Sequence, residues 1–464
     1  ALVEWDALLR RPALRESSPG PEFSQLDPPD SEKHLRCMRL LSSMLILVLF
    51  FPSMPVIGAG MKEMNPPKEP EVSREIALIG GRLIDGNGGL PVEDAVVIVR
   101  GSKIVAVGNR RNTAIPARAE RLDAKGLSIL PGLIDTHFHS RHSDTIPIEF
   151  ELEKGITSFR DPGHPWRYYD TALNSKLTLP RIFLCGGHLD GPPAVHADQA
   201  VVPTTAEETR QAVFSHVDRG ASAIKVYFRL HPELIVAACE AAKERGVLVT
   251  AHLELVDADQ AIQAGVRGIE HVTSFGTVLA DPADADHFKA EIYRESNARR
   301  PLRPWLWSRI DLDNSFRLEP LLDLIVQTGT FVSPTIALFE ARSGQKDATE
   351  EQVQGFKTMM DFIARCHKSG AKLVVGSHTS VPFAEHGYAY QREMDLLVEA
   401  GMTPLEVLTS ATKTGAEFFG IEDRLGTVEV GKTADLVLVE GDPTQDIGVM
   451  RNVRHVMLNG SLIQ

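Results

Sequence analysis

The sequence of 464 residues lacks several features that would place it in a special class of protein. It has no C-x-x-C pair, so neither a zinc ribbon nor a disulfide framework is indicated, and we expect buried free thiols at its four cysteines, Cys37, Cys185, Cys239 and Cys366. It has no long Lys/Arg block, and its net charge is −13, so we expect no nucleic-acid partner. With 43% hydrophobic residues, 36 Gly and 29 Pro, the composition excludes collagen, coiled coil and wholesale disorder, and indicates a globular protein.

An apolar run near the start of the chain is too short to span a bilayer comfortably. Residues 44–51 follow the basic start Met38-Arg39 and precede the small residues 57–60. A basic start, a short apolar stretch and small residues are the three parts of a secretory signal. We therefore expect translation from Met38, export to the periplasm or the cell exterior, and no stable membrane span once the signal is removed. An uncleaved signal would leave the chain anchored.

The order of predicted strands and helices divides the chain into three parts. Residues 1–71 form an extension with the signal-like segment 38–60 and a Pro-rich linker, residues 72–130 and 416–464 have β character, and residues 131–415 alternate strands with helices. This alternation is typical of a parallel α/β fold. Eight candidate strands in the middle part indicate a closed barrel, at 130–134, 157–160, 182–185, 223–227, 248–251, 268–270, 331–334 and 373–376.

Side chains that can bind a metal recur at the ends of these strands. In parallel barrels the chemistry lies at the carboxyl ends of the strands. His137 and His139 follow the first strand, and residues two apart on an extended strand face the same side. The fourth, fifth, sixth and eighth strands each supply one further residue, Lys225, His252, His271 and His378. This shared register predicts a metal site.

These motifs resemble the amidohydrolase superfamily, and within it the imidazolonepropionase-like and Xaa-Pro dipeptidase-like branch. The resemblance covers most of residues 75–464 and is carried by LIDG (83–86), LPGLIDTHFH (130–139), IKVY (224–227), AH (251–252), GIEH (268–271) and GKTADL (431–436). It implies an α/β fold, a (β/α)8 TIM barrel with a small β-sandwich domain formed by both flanking segments, and it also allows a homo-oligomer.

The resemblance also implies two divalent metal ions, zinc above other transition metals. His137 and His139 would bind the more buried ion, His252 and His271 the second, and Lys225, carboxylated by CO2, would bridge them. A lysine ammonium cannot bind a cation, whereas a carbamate is anionic and offers two oxygens. The implied reaction is hydrolysis of amide or peptide C–N bonds, in a small molecule or short peptide, by a metal-activated hydroxide.

The chain departs from the family after the eighth strand, where the family has an aspartate that binds metal and moves a proton. His378 stands there. Imidazole can bind zinc and accept a proton near neutral pH, but it supplies no negative charge. Either His378 takes over as ligand or base, or Glu254 or Glu270 moves the proton and His378 orients the substrate.

Two further residues complete the predicted catalytic set. His188, at the end of the third strand, can donate a hydrogen bond to a developing oxyanion or to a substrate carboxylate, and Tyr227 faces the same side of its strand as Lys225. The long connection 274–320 and three aromatic residues are expected to shape substrate choice, Trp166, Tyr168 and Tyr169.

Two alternatives to a binuclear hydrolase stay open. A mononuclear cyclic amidohydrolase or deaminase is the nearer one, and Lys225 argues against it because a one-metal site needs no bridge. A catalytically silent metal-binding scaffold is the other, because His378 replaces the expected aspartate.

Overall fold

A computed structural model describes residues 61–140, 148–346 and 348–463. The signal-like segment 38–60 and Cys37 lie outside the described residues. The other three cysteines are buried thiols, as expected. Within the described ranges, no helix is both long enough and apolar enough to cross a bilayer.

The two flanking segments contribute strands to one mixed sheet. Its strands are β1 (Glu75–Leu83), β2 (Val92–Arg100), β3 (Lys103–Asn109), β4 (Glu120–Asp123), β5 (Leu127–Pro131), β16 (Leu436–Glu440), β17 (Val453–Leu458) and β18 (Ser461–Leu462). They lie in the order β18-β17-β16-β5-β1-β2-β3, with β4 paired to β1. The flanks meet where β5 and β16 pair antiparallel, with Ile129 opposite Leu438.

A core of β-branched and aliphatic side chains holds this sheet together. Val97 and Val99 of β2 pack in one buried cluster with Leu436 and Leu438 of β16. Successive side chains of a strand point to opposite faces, so residues two apart enter the same core. The opposite face of the same strands is buried as well, since Ala77 and Ile79 of β1 pack with Val96 and Ile98 of β2 in a second cluster.

The middle of the chain forms two sheets in which all paired strands are parallel. One contains β6 (Leu133–Asp135), β7 (Ile156–Asp161) and β8 (Arg181–Leu184). The other contains β9 (His188–Leu189), β10 (Ala200–Val201), β11 (Ala223–Val226), β12 (Leu248–Ala251), β13 (Gly268–Glu270), β14 (Phe331–Ser333) and β15 (Lys372–Leu373), in the order β10-β9-β11-β12-β13-β14-β15. The predicted α/β class is confirmed.

Backbone hydrogen bonds also join the two parallel sheets. At one flank the Ser222 N–H donates to the Leu184 carbonyl across 2.6 Å. At the other, the Thr136 N–H donates to the Val375 carbonyl across 2.9 Å. The carboxyl ends of the strands in both sheets therefore meet around one region.

Helices follow most of these strands. They are α1 (Glu149–Glu153), α2 (Asp170–Leu173), α3 (Ala206–Asp218), α4 (Pro232–Glu244), α5 (Ala258–Ala264), α6 (Gly276–Leu279), α7 (Pro282–Arg294), α8 (Arg299–Arg309), α9 (Leu318–Thr328), α10 (Glu350–Ser369), α11 (Ala389–Glu399), α12 (Pro404–Thr409) and α13 (Gly415–Phe419). The segment 274–320, expected to be a long loop, is thus largely helical.

Helix α10 packs closely on α8. It begins with a capping box in which Thr349 and Gln352 satisfy each other's backbone N–H groups, and it ends at Gly370, whose φ is +87°. A Cβ at Gly355 would lie 2.6 Å from the Pro304 carbonyl oxygen, so only glycine lets the two helices approach this far. This contact fixes the position of α8.

The first predicted strand, 130–134, is wrong in its extent. It is two strands, because β5 ends at Pro131 in the mixed sheet and β6 begins at Leu133 in a parallel sheet. Gly132 separates them, and a Cβ there would lie 2.2 Å from Thr157 Oγ1. The chain can change sheets at this point only because that side chain is missing.

Candidate metal centre

The carboxyl ends of the parallel strands surround a cavity of about 570 Å³. Its lining includes all six predicted metal-site residues, His137, His139, Lys225, His252, His271 and His378. Both predicted substrate contacts, His188 and Tyr227, line it as well. Strands that are far apart in the sequence therefore bring their polar ends to one place.

Four imidazole rings converge at the bottom of this cavity. His137 Nε2 and His139 Nε2 are 3.1 Å apart. His137, His271 and His378 each offer a nitrogen within 4.8 Å of the other two. Such convergence of imidazole nitrogens is the arrangement that binds Zn²⁺ and similar ions.

The rings are oriented by contacts made through their other nitrogens. Nδ1 of His137 contacts Glu270 Oε2, and Nδ1 of His271 lies 2.6 Å from Thr335 Oγ1. A histidine that binds metal through one nitrogen usually donates from the other to a carboxylate or another acceptor, which fixes the ring. Both rings are thereby aimed with Nε2 toward the cavity.

Asp135 ties the first strand end to the eighth. Its Oδ1 accepts hydrogen bonds from the backbone N–H groups of His137 and Ser377, both across 3.0 Å. Burial raises the pKa of this carboxyl to about 6. Asp135 is therefore a positioning residue beneath the imidazoles.

Glu270 is a fully buried carboxylate between three groups. Besides His137, its Oε1 contacts Arg160 Nη2 at 2.8 Å and Lys225 Nζ at 3.1 Å. Burial alone would raise its pKa, but Arg160, Lys225 and His137 together hold the pKa well below its usual range. Glu270 does not line the cavity, so its contacts favour orienting its neighbours over moving a proton.

Lys225 reaches the same cavity from β11 and is 4% exposed. Burial lowers its pKa to about 8, although Glu270 acts in the opposite direction. A neutral amine is the form that reacts with an electrophile such as CO2.

Four histidines of the cavity have a lowered pKa. Burial is the main cause, and it lowers the pKa of His137, His252 and His271, while neighbouring cationic groups lower it further for the last two. Burial also lowers the pKa of His188, to about 3. Neutral imidazoles bind metal and protonated ones do not, so the donor set fits a divalent cation.

His252 differs from the other rings. Its Nε2 lies 2.8 Å from Arg303 Nη2 and 3.0 Å from Glu254 Oε1, and Glu254 also accepts hydrogen bonds from Arg303. Glu254 does not line the cavity. One nitrogen of this predicted ligand for the second metal is thus engaged by protein groups.

The backbone around the imidazoles is strained. Four of the six non-glycine residues with positive φ among the described residues lie here, His271 (65°), Thr335 (43°), His378 (54°) and Thr379 (70°). Left-handed φ is costly for side chains with a Cβ, and most for β-branched threonine. Strain of this kind is characteristic of segments that aim side chains at a functional site.

Two residues near His139 were missed at the sequence level. His139, Asp161 and His164 offer ligand atoms within 4.8 Å of one another, and His164 Nδ1 lies 3.0 Å from both Asp161 oxygens. Asp161 ends β7, so the rule that found the other strand ends applies to it too. Asp161 also accepts the N–H of Ser140 across 2.9 Å.

Helix α8 forms the opposite wall of the cavity. It contributes three cationic side chains from the connection 274–320, Arg299, Arg300 and Arg303. The tryptophans of this segment pack elsewhere, since Trp307 is fully buried and the Trp305 ring lies 5.2 Å from His287. The three aromatics after β7, expected to shape substrate choice, do not line the cavity: Trp166, Tyr168 and Tyr169.

Comparison with known proteins gives related sequences and structures. The chain is 41% identical over 86 residues to an N-acyl-D-glutamate deacylase of Alcaligenes xylosoxydans xylosoxydans, which is 18% of this chain and 17% of that protein. It is 24% identical over 387 residues to an adenine deaminase of Brucella anthropi, covering 79% of this chain and 55% of the deaminase. The chain thus spans about half or less of the length of these curated relatives.

The fold has solved counterparts. A Xaa-Pro dipeptidase structure with bound methionine superposes with a TM-score of 0.64 at 24% identity, covering 84% of this chain and all of the other. The sequence profile of the amidohydrolase family matches residues 128–463, which include both parallel sheets and the C-terminal strands. The chain therefore belongs to the amidohydrolase family.

Proposed function

We propose that this protein is a metal-dependent hydrolase of carbon–nitrogen bonds in small amides or short peptides, of the imidazolonepropionase-like and Xaa-Pro dipeptidase-like branch. The observation that carries the proposal is the 3.1 Å approach of His137 Nε2 and His139 Nε2 in a cavity where burial lowers the pKa of His137, His252 and His271. Family membership supports it, as do relatives described as a deacylase and a dipeptidase.

The residues of the cavity divide into those that would bind the metal and those that would bind the substrate. His137, His139, His271 and His378 would hold the metal, which when bound supplies Lewis-acid activation of water and of the scissile carbonyl. His188 and Tyr227 lie side by side, with ring centroids 4.6 Å apart, and face the same cavity. Burial raises the pKa of Tyr227 to about 12, so its hydroxyl stays a hydrogen-bond donor for the substrate carbonyl or carboxylate.

The finer form of the proposal is a binuclear zinc site bridged by carboxylated Lys225. In that step a bond forms between Lys225 Nζ and the carbon of CO2, the electron pair of one C–O π bond moves to oxygen, and the nitrogen releases a proton to water. The buried position of the amine supports it. Glu270, 3.1 Å away, would repel a carbamate, so the carboxylated side chain must turn from Glu270 toward the imidazoles.

A one-metal site is the second candidate. It is favoured by the 2.8 Å contact between Arg303 Nη2 and His252 Nε2, because that nitrogen is not offered to a second ion. One relative is described as an adenine deaminase, which supports deamination as the reaction in this alternative. In this form His378 would complete the set with His137 and His271.

We further infer that the two parallel sheets close into a (β/α)8 barrel and that the mixed sheet folds over its core as a small sandwich. The hydrogen bonds Ser222 to Leu184 and Thr136 to Val375 support closure. The core shared by β2 and β16 supports the sandwich.

Metal content and turnover test these alternatives together. Protein purified without chelator is analysed for metals with and without added bicarbonate, beside the Lys225→Ala variant. We expect about two ions per chain, falling to one or fewer in the variant. One ion in both proteins would favour the mononuclear form, and no binding would overturn the proposal.

Turnover distinguishes an enzyme from a silent scaffold. Metal-loaded protein is assayed against N-acyl amino acids and dipeptides, beside a His378→Asp variant. We expect turnover by the wild type that falls in the variant. Turnover that arises only in His378→Asp would support the scaffold and contradict the proposal.

A further inference from the structure

The wall of the metal cavity has an unusual charge for this protein. The chain has 62 acidic residues against 49 basic ones, yet no aspartate or glutamate is among the described residues that line the cavity. Four basic side chains line it, Lys225, Arg299, Arg300 and Arg303. A cavity lined by one sign of charge concentrates ligands of the other sign.

Arg299 is a buried cation without a carboxylate partner among the described residues. It is 6% exposed, and its guanidinium donates to the Ser296 carbonyl across 2.7 Å and lies 3.5 Å from Asn297 Oδ1. Both partners are neutral. Glu254 attracts this charge only from beyond contact distance, and a buried charge without a contacting counter-charge is costly, so an anionic ligand would stabilise Arg299.

Two other buried arginines show how the chain usually meets that need. Arg160 contacts Glu270 at 2.8 Å, and Arg181 contacts Asp435 at 2.7 Å and Glu63 at 2.9 Å. Burial opposes their charge, but the carboxylates outweigh it and raise the pKa of both arginines. At Arg299 burial prevails and lowers the pKa.

Arg300 stands next to it at the exposed edge of the same cavity. It makes no hydrogen bond or ion pair with the part of the chain that the structure describes. Arg303, one turn further along α8, is already neutralised by Glu254. The cationic groups left for a ligand are therefore Arg299 and Arg300.

We propose that the substrate of this site is an anionic amide, an N-acylated amino acid with an acidic side chain, whose side-chain carboxylate binds Arg299 and Arg300. The inference rests on the proposed function, because the same cavity holds the metal centre. It adds the charge of the substrate and the residues that select it. Charge-assisted hydrogen bonds from arginine to carboxylate supply both affinity and orientation.

Matched substrates and ligands test the inference. Metal-loaded protein is assayed with N-acetylglutamate and N-acetylglutamine, and binding of glutarate and glutaramate is measured by calorimetry. We expect kcat/KM to be about tenfold or more higher for N-acetylglutamate than for N-acetylglutamine, since a hydrogen bond to a charged group contributes about 1.5–3 kcal/mol. Arg300→Gln should reduce that preference about tenfold and weaken glutarate binding to a similar degree.

The controls keep two failures apart. Arg294→Gln, an exposed arginine of α7 outside the cavity, should change neither readout. Arg299→Met should remove the preference, and if that buried variant does not fold, Arg300→Gln decides. Equal hydrolysis of both amides would overturn this inference and leave the proposed function standing. Glutarate binding that depends on these arginines, without hydrolysis of either amide, would support the anion site and overturn the proposed function.

Discussion

The cavity has two walls of opposite construction. The strand-end wall is formed by residues within or just after β6, β11, β13 and β15. Internal contacts hold it in place, since its imidazoles and Lys225 contact buried partners such as Glu270 and Thr335. The helical wall, formed by α8, has two cationic side chains, Arg299 and Arg300, that contact no carboxylate among the described residues. The strand-end wall is therefore ordered by contacts within the protein, whereas the charges of the helical wall are available to a ligand.

This difference assigns metal binding to the strand-end wall and substrate choice to the helical wall. A metal centre needs ligands held within a few tenths of an ångström, which internal contacts provide. Substrate choice needs groups whose partners come from outside, and on α8 these groups are Arg299 and Arg300. We therefore expect changes in the strand-end wall to affect metal binding and stability, and changes in α8 to affect which substrate is preferred.

The largest effect is expected from removing an imidazole of the strand-end wall. His137→Ala removes a ring that lies at the centre of the cluster, 4.7 Å from His271 and 4.9 Å from His139 between ring centroids. Since loss of an outer-shell partner alone typically costs 10–100-fold in metal affinity, we expect more than about 100-fold here. Metal titration checks it, with exposed His231→Ala as the control. Unchanged affinity would mean that the metal lies elsewhere.

The next effect concerns stability. Glu270→Gln removes the negative charge between Arg160, Lys225 and His137, all of them buried. Breaking a buried pair costs about 3–5 kcal/mol in the free energy of unfolding, which urea denaturation measures. Glu440→Gln, which breaks an exposed pair with Arg454, should cost at most about 1 kcal/mol. Similar losses in both variants would contradict the role given to Glu270.

Much of the strand-end wall could be predicted from sequence, and little of the helical wall. His137, His139 and His271 follow short apolar strands, and the carboxyl ends of neighbouring parallel strands meet at one edge, so the pattern predicts that they lie together. Arg299 and Arg300 belong to a segment whose folding back over the cavity depends on contacts such as Gly355 with Pro304, which no local pattern records. The division of strand 130–134 between two sheets was missed for the same reason.

A pH-dependent effect tests the layer beneath the strand-end wall. Glu393 of α11 is fully buried and accepts the backbone N–H groups of Ile336 and Ala337 across 2.9 and 2.8 Å. Burial raises its pKa to about 8, so the folded state holds this proton at pH values where the unfolded chain releases it. Its contribution to stability is therefore full below about pH 4.5 and is lost as pH rises to about 8, by at most about 1.4 kcal/mol per pH unit.

Comparison with Glu393→Gln isolates that contribution. Unfolding free energies of wild type and variant, measured in urea at pH 5.5, 7 and 8.5, should converge as pH rises because only the wild type loses stability from this group. A constant difference across the series would show that Glu393 is ionised throughout and that its backbone contacts outweigh its burial.

The smallest effect is expected where the two walls meet. Arg303→Lys retains the charge opposite Glu254 but loses the planar fork that reaches both Glu254 and His252. One lost hydrogen bond corresponds to about 1 kcal/mol, so we expect KM or metal affinity to change about fivefold with little change in folding stability. The matched control is Arg309→Lys. Arg309 lies at the carboxyl end of α8 and pairs with Asp284 of α7. If Arg303→Lys instead increases the metal content, Arg303 competes with a second ion for His252 Nε2. The helical wall would then control metal binding at the strand-end wall through this nitrogen.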